Sequence, residues 1–160
     1  MTRLLHRLNR FWFAEAPATR LALLRIVVGG FALQYVAVRY AMFMKMASSD
    51  PQLFEPVGLA WFLDRPIPVE GFQLLLIATL LANLAFVLGW RYRYTGPVYA
   101  VLLLWLLCYR NSWSMIYHTD NVLVLHVLVL GLTPAADVLA LDALTRISRT
   151  RHSTRLPSPW

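Results

Sequence analysis

The stretch Ser114-Met-Ile-Tyr-His-Thr-Asp-Asn121 gathers hydroxyl, imidazole, carboxylate and amide groups directly ahead of the apolar run VLVLHVLVLGL. An imidazole titrates near neutral pH, which suits it to moving protons. If residues 114–133 form one helix, i,i+3 and i,i+4 spacing puts Ser114, His118 and Asn121 on one face. Asp120 then points about 200° away from His118, so a His–Asp pair within the helix is not available. Asp120 has two readings. It is a site residue, or it is the N-cap of a helix starting at Asn121, its carboxylate accepting orphan backbone N–H groups; the cap is preferred here. No cap requires His118, which makes it the candidate catalytic residue, with Ser114, Asn121 and Asp120 as candidate ligand contacts. His126, two turns beyond His118 and about 80° round, stands alone among Val and Leu and is expected to pack there, bonded to a neighbouring helix.

Other chemistries lack their residues. The chain contains no Gly-rich phosphate loop, no Cys pair, no H-x-x-x-H or H-E-x-x-H and no G-x-S-x-G. His118 and His126 have no third ligand in view, so no metal site is expected. The lone cysteine, Cys108, lies in an apolar run and reads as a small core hydrophobe.

The elements that must position these residues are set by composition. Of the 160 residues, 59% are hydrophobic and 14% charged, and mean hydropathy is +0.55; soluble domains carry about 25% charged residues. Four runs suit a hydrocarbon core of about 30 Å: about 18–44, opening after Pro17; 71–90; 97–110, behind Gly96-Pro97; and 115–133, stopped by Thr133-Pro134. The expected fold is all-α, a polytopic membrane helix bundle with about four transmembrane helices. Arg3, Arg7, Arg10, Arg91, Arg93, Arg146, Arg149, Arg151 and Arg155 fall on one side; Arg39, Lys45, Arg65 and Arg110 fall on the other. The positive-inside rule then places both termini in the cytoplasm, in a bacterial inner membrane. The formal net charge of +7 gathers at the ends of apolar runs, which points to lipid headgroups as the partner and not to nucleic acid.

Outside the spans, Leu4, Leu8 and Phe11 share one helical face with Arg3, Arg7 and Arg10 one residue earlier, the pattern of an interfacial N-terminal helix. The segment Ala47–Glu70, with Trp61 and Phe62 between prolines, is expected to be a partly helical outer loop lying in the interface or folded over the bundle. Residues 148–160 form a basic, proline-containing tail expected to be disordered. Within the first span, Arg25 has two readings of equal weight. It reaches back to the cytoplasmic headgroups, or it anchors a carboxylate or a ligand oxygen inside the bundle. Gly29 and Gly30 are expected to let another helix approach closely.

Several pieces in order resemble a known family: Leu23-Leu24-Arg25 with Gly29; Phe62-Leu-Asp-Arg-Pro-Ile-Pro68; Leu88-Gly-Trp-Arg-Tyr-Arg93; Asn111-Ser-Trp113; His118 with Asp120-Asn121; and Thr133-Pro134 leading to Leu139-Ala-Leu-Asp142. Together they resemble the horizontally transferred transmembrane (HTTM) domain, the membrane part of vitamin K-dependent gamma-carboxylase and its bacterial relatives. The resemblance implies that residues 1–147 form one such domain, with a polar face near His118 bordering a cavity for a lipophilic, vitamin K-like reduced quinone. It also implies a site role for His118 and, less directly, for Arg25. The family continues with further helices that carry the carboxylase's catalytic lysine, whereas the only lysine here is Lys45. The expectation is therefore a membrane protein of this family that is not a complete carboxylase and holds a quinone or other lipophilic ligand. Two alternatives stand beside it: a quinol-dependent oxygenase or epoxidase using His118, and a membrane subunit that assembles with a partner chain or as a homo-oligomer.

Overall fold

The computed structural model describes residues 17–145. The interfacial N-terminal helix and the basic tail expected from the sequence lie outside the described residues. Within them the chain is all-helical: α1 Ala18–Val38, α2 Tyr40–Ala47, α3 Val69–Leu88, α4 Tyr92–Asn111 and α5 His118–Leu132, with short 3-10 turns at Pro51–Leu53 and Gly58–Ala60.

Length and composition set α1 and α3 apart. With 21 and 20 residues, each is roughly 30 Å long at 1.5 Å per residue, and both are apolar enough to cross a membrane. Only a third of the apolar window in each is buried, whereas the core helix of a soluble protein is mostly buried. Leu23, Leu24, Val27 and Phe31 of α1 point outward, as do Leu74, Leu81 and Leu84 of α3. The buried set, by contrast, includes Arg25, Thr79, Asn83, Arg110, Asn111 and Asp120. The core is mostly apolar, and so is much of the exterior, with a few polar and charged side chains buried between the helices.

Three boundaries depart from the sequence reading. The first run breaks at Arg39, where neither Pro nor Gly stands; α2 resumes at once, Phe43 N–H donating to Arg39 C=O at 2.9 Å. The third helix starts at Tyr92 and not behind Gly96-Pro97, with Pro97 inside it. The reason lies far along the chain: Asp142 accepts from the backbone N–H groups of Arg91 and Tyr92, both at 2.8 Å, and so satisfies the N-terminus of α4 five residues early. The fourth run yields a helix of 15 residues beginning at His118, about 22 Å long.

Helix packing follows from small residues and buried rings. A Cβ on Gly96 would come within 2.7 Å of Gly131 C=O, and the reverse holds for Gly131 against Gly96. The α4 and α5 backbones therefore touch where only glycine fits. Gly29 lies against Phe86 and Val87 of α3 as expected, but Gly30 has nothing within 4 Å and faces outward space. Between α1, α3 and α4 stands Asn83, its amide oriented to donate to Gly29 C=O and accept from Leu33 N–H and Tyr99 O–H, at 2.7–3.0 Å. The outer loop folds over the bundle end. Glu55 N–H and Val57 N–H donate to the backbone and hydroxyl of Ser112, and Phe54 packs on Tyr109 and Trp113. Trp61 and Phe62 stay exposed on its outside.

Candidate functional site

Asp120 is the centre of the polar end of the bundle, and it is not a helix cap. The helix begins at His118 with Tyr117 at the N-cap position and no side-chain capping bond. Asp120 sits in the first turn, 1% exposed. Its Oδ2 accepts from Arg110 Nη1, and its Oδ1 accepts from Tyr35 O–H at 2.7 Å. Arg110 also donates to the Tyr35 hydroxyl oxygen at 2.9 Å. Three helices thus contribute one group each: α1 the phenol, α4 the guanidinium, α5 the carboxylate. The short turn between α4 and α5 brings Arg110 opposite Asp120. Such a largely buried pair is held by charge-assisted hydrogen bonds on both carboxylate oxygens.

Two aromatic rings support the cations. The Arg110 guanidinium carbon lies 4.2 Å from the Tyr117 ring centroid, and that of Arg39 lies 4.1 Å from the Tyr35 ring centroid. Arg39 makes one hydrogen bond, to Tyr35 C=O at 3.3 Å, and has no carboxylate partner among the described residues. Both guanidiniums border an open cleft of about 500 Å³ between α1 and the α4–α5 turn, with Phe31 and Val38 as apolar wall and Gln34, Tyr117 and Thr119 at the rim. That volume falls in the range of small-molecule sites. The cleft carries two guanidiniums beside an apolar wall, which suits an elongated apolar ligand whose head presents hydrogen-bond acceptors.

The residues singled out from the sequence meet different fates. Asp120 is in the cluster. Ser114 lies in the loop before α5, exposed, within 3.4 Å of the Tyr117 hydroxyl, so it does not share a helical face with His118 and Asn121. His118 is exposed at the first position of α5, no hydrogen bond or ion pair reaches its ring among the described residues, and it does not line the cleft. Asn121 is also exposed and borders a separate cavity between α4 and α5. His126 does not bond a neighbouring helix: its ring bonds Val122 C=O of its own helix at 2.7 Å and lies exposed.

Arg25 belongs to the opposite end. Fully buried, it donates to Leu139 C=O and lies 5.7 Å from the Tyr92 ring centroid. It has no exposed surface and, among the described residues, no hydrogen bond to a carboxylate; it clasps backbone. Its Nε and Nη1 have no hydrogen-bond partner among the described residues. Leu139 holds a left-handed backbone, φ 52°, and Asp142 N–H donates to Gly89 C=O at 3.2 Å. Arg25, Gly89 and Asp142 together pin residues 139–142 over the α3–α4 turn.

Sequence reasoning missed Tyr35, Arg39 and Arg110 as site residues. A usable signal existed for one of them: Arg110 and Asp120 flank a short polar turn between two apolar helices, so an antiparallel pair sets them opposite each other. No family model matches the chain, and no curated protein or solved structure matches it.

Proposed function

We propose that this chain is an integral membrane protein of four spans, similar to the HTTM domain, that binds a lipophilic ligand of quinone type in the cleft between α1 and the α4–α5 turn. The observation that carries the reading is the buried Arg110–Asp120–Tyr35 cluster opening, beside Arg39, onto an apolar-walled cleft. Burying such a pair is costly unless geometry is fixed by further hydrogen bonds, and here Tyr35 supplies them to both partners. The cluster holds Arg110 and Asp120 in place, which leaves the Arg39 guanidinium as the group with donors to spare for a quinone carbonyl oxygen. The outward leucines, valines and phenylalanines of α1, α3 and α5 support lipid as the surroundings. α5, at 15 residues, spans by virtue of the polar turn lying at headgroup depth. The basic residues that the sequence places before the first run, in the 91–93 turn and after residue 145 favour a cytoplasmic placement of the Gly89–Arg93 end, with the cleft on the opposite face of an inner membrane.

His118 does not favour the oxygenase reading, since no hydrogen bond or ion pair among the described residues orients its exposed ring. The test is quinone binding by the protein in lipid nanodiscs, read by quenching of tryptophan fluorescence with a decyl-substituted benzoquinone. Arg39→Gln is expected to weaken binding about tenfold or more, the loss of a charge-assisted hydrogen bond, while His118→Ala leaves it unchanged. Equal binding by wild type and Arg39→Gln would remove the cleft from the proposal. Recovery of the protein in the aqueous fraction after detergent-free lysis would remove the membrane from it.

A further inference from the structure

The cleft beside Arg39 has a charge that a neutral quinone carbonyl leaves unanswered. Its charged lining consists of Arg39 and Arg110, and both guanidiniums lie near one ring, their carbons 4.1 and 6.0 Å from the Tyr35 centroid. A single carboxylate serves the two. Asp120 is 1% exposed, does not line the cleft, and has its oxygens engaged by Arg110 and Tyr35. One positive charge is therefore left over, on Arg39. That surplus group is within a ligand's reach. Among the described residues, the arginine nitrogens that are both buried and unpartnered are Nε and Nη1 of Arg25. Arg39 is half-buried and uses only Nη1, on Tyr35 C=O, so its Nε and Nη2 stay open to the cleft.

An uncharged head would accept those hydrogen bonds and still leave a charge uncompensated beside an apolar wall, where a lone charge is costly. An anion meets both needs. The Nε–Nη2 edge of a guanidinium is a fork whose parallel N–H groups match two oxygens sharing one negative charge. The first turn of α5, which has no side-chain cap, brings Tyr117 and Thr119 to the same rim and adds the positive end of a helix dipole. Below the head, a second groove of about 300 Å³ shares Phe31 and Thr119 with the cleft and continues between Val27 and Val28 of α1 and Val122 of α5. One apolar chain thus has a path down the α1–α5 seam. We propose that the ligand carries a negative charge in its head: within the quinone class, an alkyl hydroxyquinone in its ionised form, whose oxyanion and adjacent carbonyl oxygen accept from Nε and Nη2 of Arg39. This rests on the quinone reading of the same cleft and narrows it, ranking acidic quinones above neutral ones.

The experiment compares 2-hydroxy-3-decyl-1,4-naphthoquinone with its 2-methoxy analogue, which keeps the ring, both carbonyls and the chain but cannot ionise. Affinities are read by tryptophan quenching with the full chain in phosphatidylcholine nanodiscs, for wild type and Arg39→Gln side by side, so that each probe's own partition into lipid cancels. The hydroxy-to-methoxy preference is expected to be about tenfold greater in the wild type than in Arg39→Gln, the worth of one partly screened charge pair. The visible band of the ionised probe gives a second readout that needs no variant. Bound to the wild type, the probe is expected to lose its hydroxyl proton about one pH unit lower than in empty nanodiscs, the same tenfold. An equal preference in the two proteins, or a bound probe that titrates as it does in empty nanodiscs, would overturn the anionic head while both probes still bind and so leave the quinone cleft standing. Failure of the wild type to bind either probe, or binding of both that is indifferent to Arg39→Gln, would overturn the cleft as well.

Discussion

Two arginines are buried among the described residues, and the protein treats them differently. Arg110 at one end is matched by a carboxylate whose two oxygens are both engaged, with a phenol bridging the pair. Arg25 at the other end clasps a backbone carbonyl and keeps Nε and Nη1 unpartnered. The first is an electrostatic unit that must be kept whole, because removing one partner leaves the other's largely buried charge without its counter-charge. The second is a latch: its value is that it holds residues 139–142 against the α3–α4 turn, and part of that gain is offset by its unmade hydrogen bonds. Burial of an arginine therefore signals a site only when the groups around it converge on open space, as they do beside Arg39.

The contrast is broken most directly by Asp120→Asn. It should destabilise the protein by about 3–5 kcal/mol by leaving Arg110 buried without its counter-charge, read as thermal unfolding in detergent or lipid. The companion double variant Arg110→Met with Asp120→Leu should recover most of the loss; no recovery would mean that the polar network itself holds the helices together. Next comes Arg25→Met, with an expected loss below about 2 kcal/mol, since a charge-assisted bond is lost while a partly orphaned charge is also removed. Its distinguishing readout is faster hydrogen–deuterium exchange at residues 139–145. A loss as large as that of Asp120→Asn would erase the distinction between pair and latch. Tyr35→Phe should cost about 1 kcal/mol, one hydrogen bond to the carboxylate. Smallest is His118→Ala, within about 0.5 kcal/mol in stability and without effect on quinone binding; a large effect on either would bring His118 back into the site.

Much of the architecture was legible because the solvent of a helix is written in its residue types. Runs of leucine and valine around 18–44 and 71–90 announced α1 and α3, and Pro17 stands at the start of α1 as the sequence suggested, while Gly89 closes α3 one residue before the bound read from the run. The start of α4 was not legible. Gly96-Pro97 looks like a beginning, but the helix is capped from a carboxylate 50 residues downstream, and local propensity carries no trace of that. Asn83 is similar: an amide in an apolar run says that some partner exists, not that it bonds the backbone of α1 at Gly29 and Leu33.

The polar cluster shows the same division. The eight residues 114–121 read as one group in the sequence, and spacing on an imagined continuous helix put Ser114, His118 and Asn121 on one face. The helix starts at His118, so Ser114 leaves the shared face, His118 turns outward, and Asp120, set aside as a cap, becomes the buried centre.

Sequence by itself determined that this chain is helical, that its helices show apolar residues outward, and that polar side chains stand at their ends, because hydropathy and helix length are local properties. Only the tertiary structure decided which of those side chains meet. Arg110, Tyr35 and Asp120 lie up to 85 residues apart, and a buried charge is satisfied by whatever neighbour the packing brings within about 3 Å, a distance that no local pattern encodes.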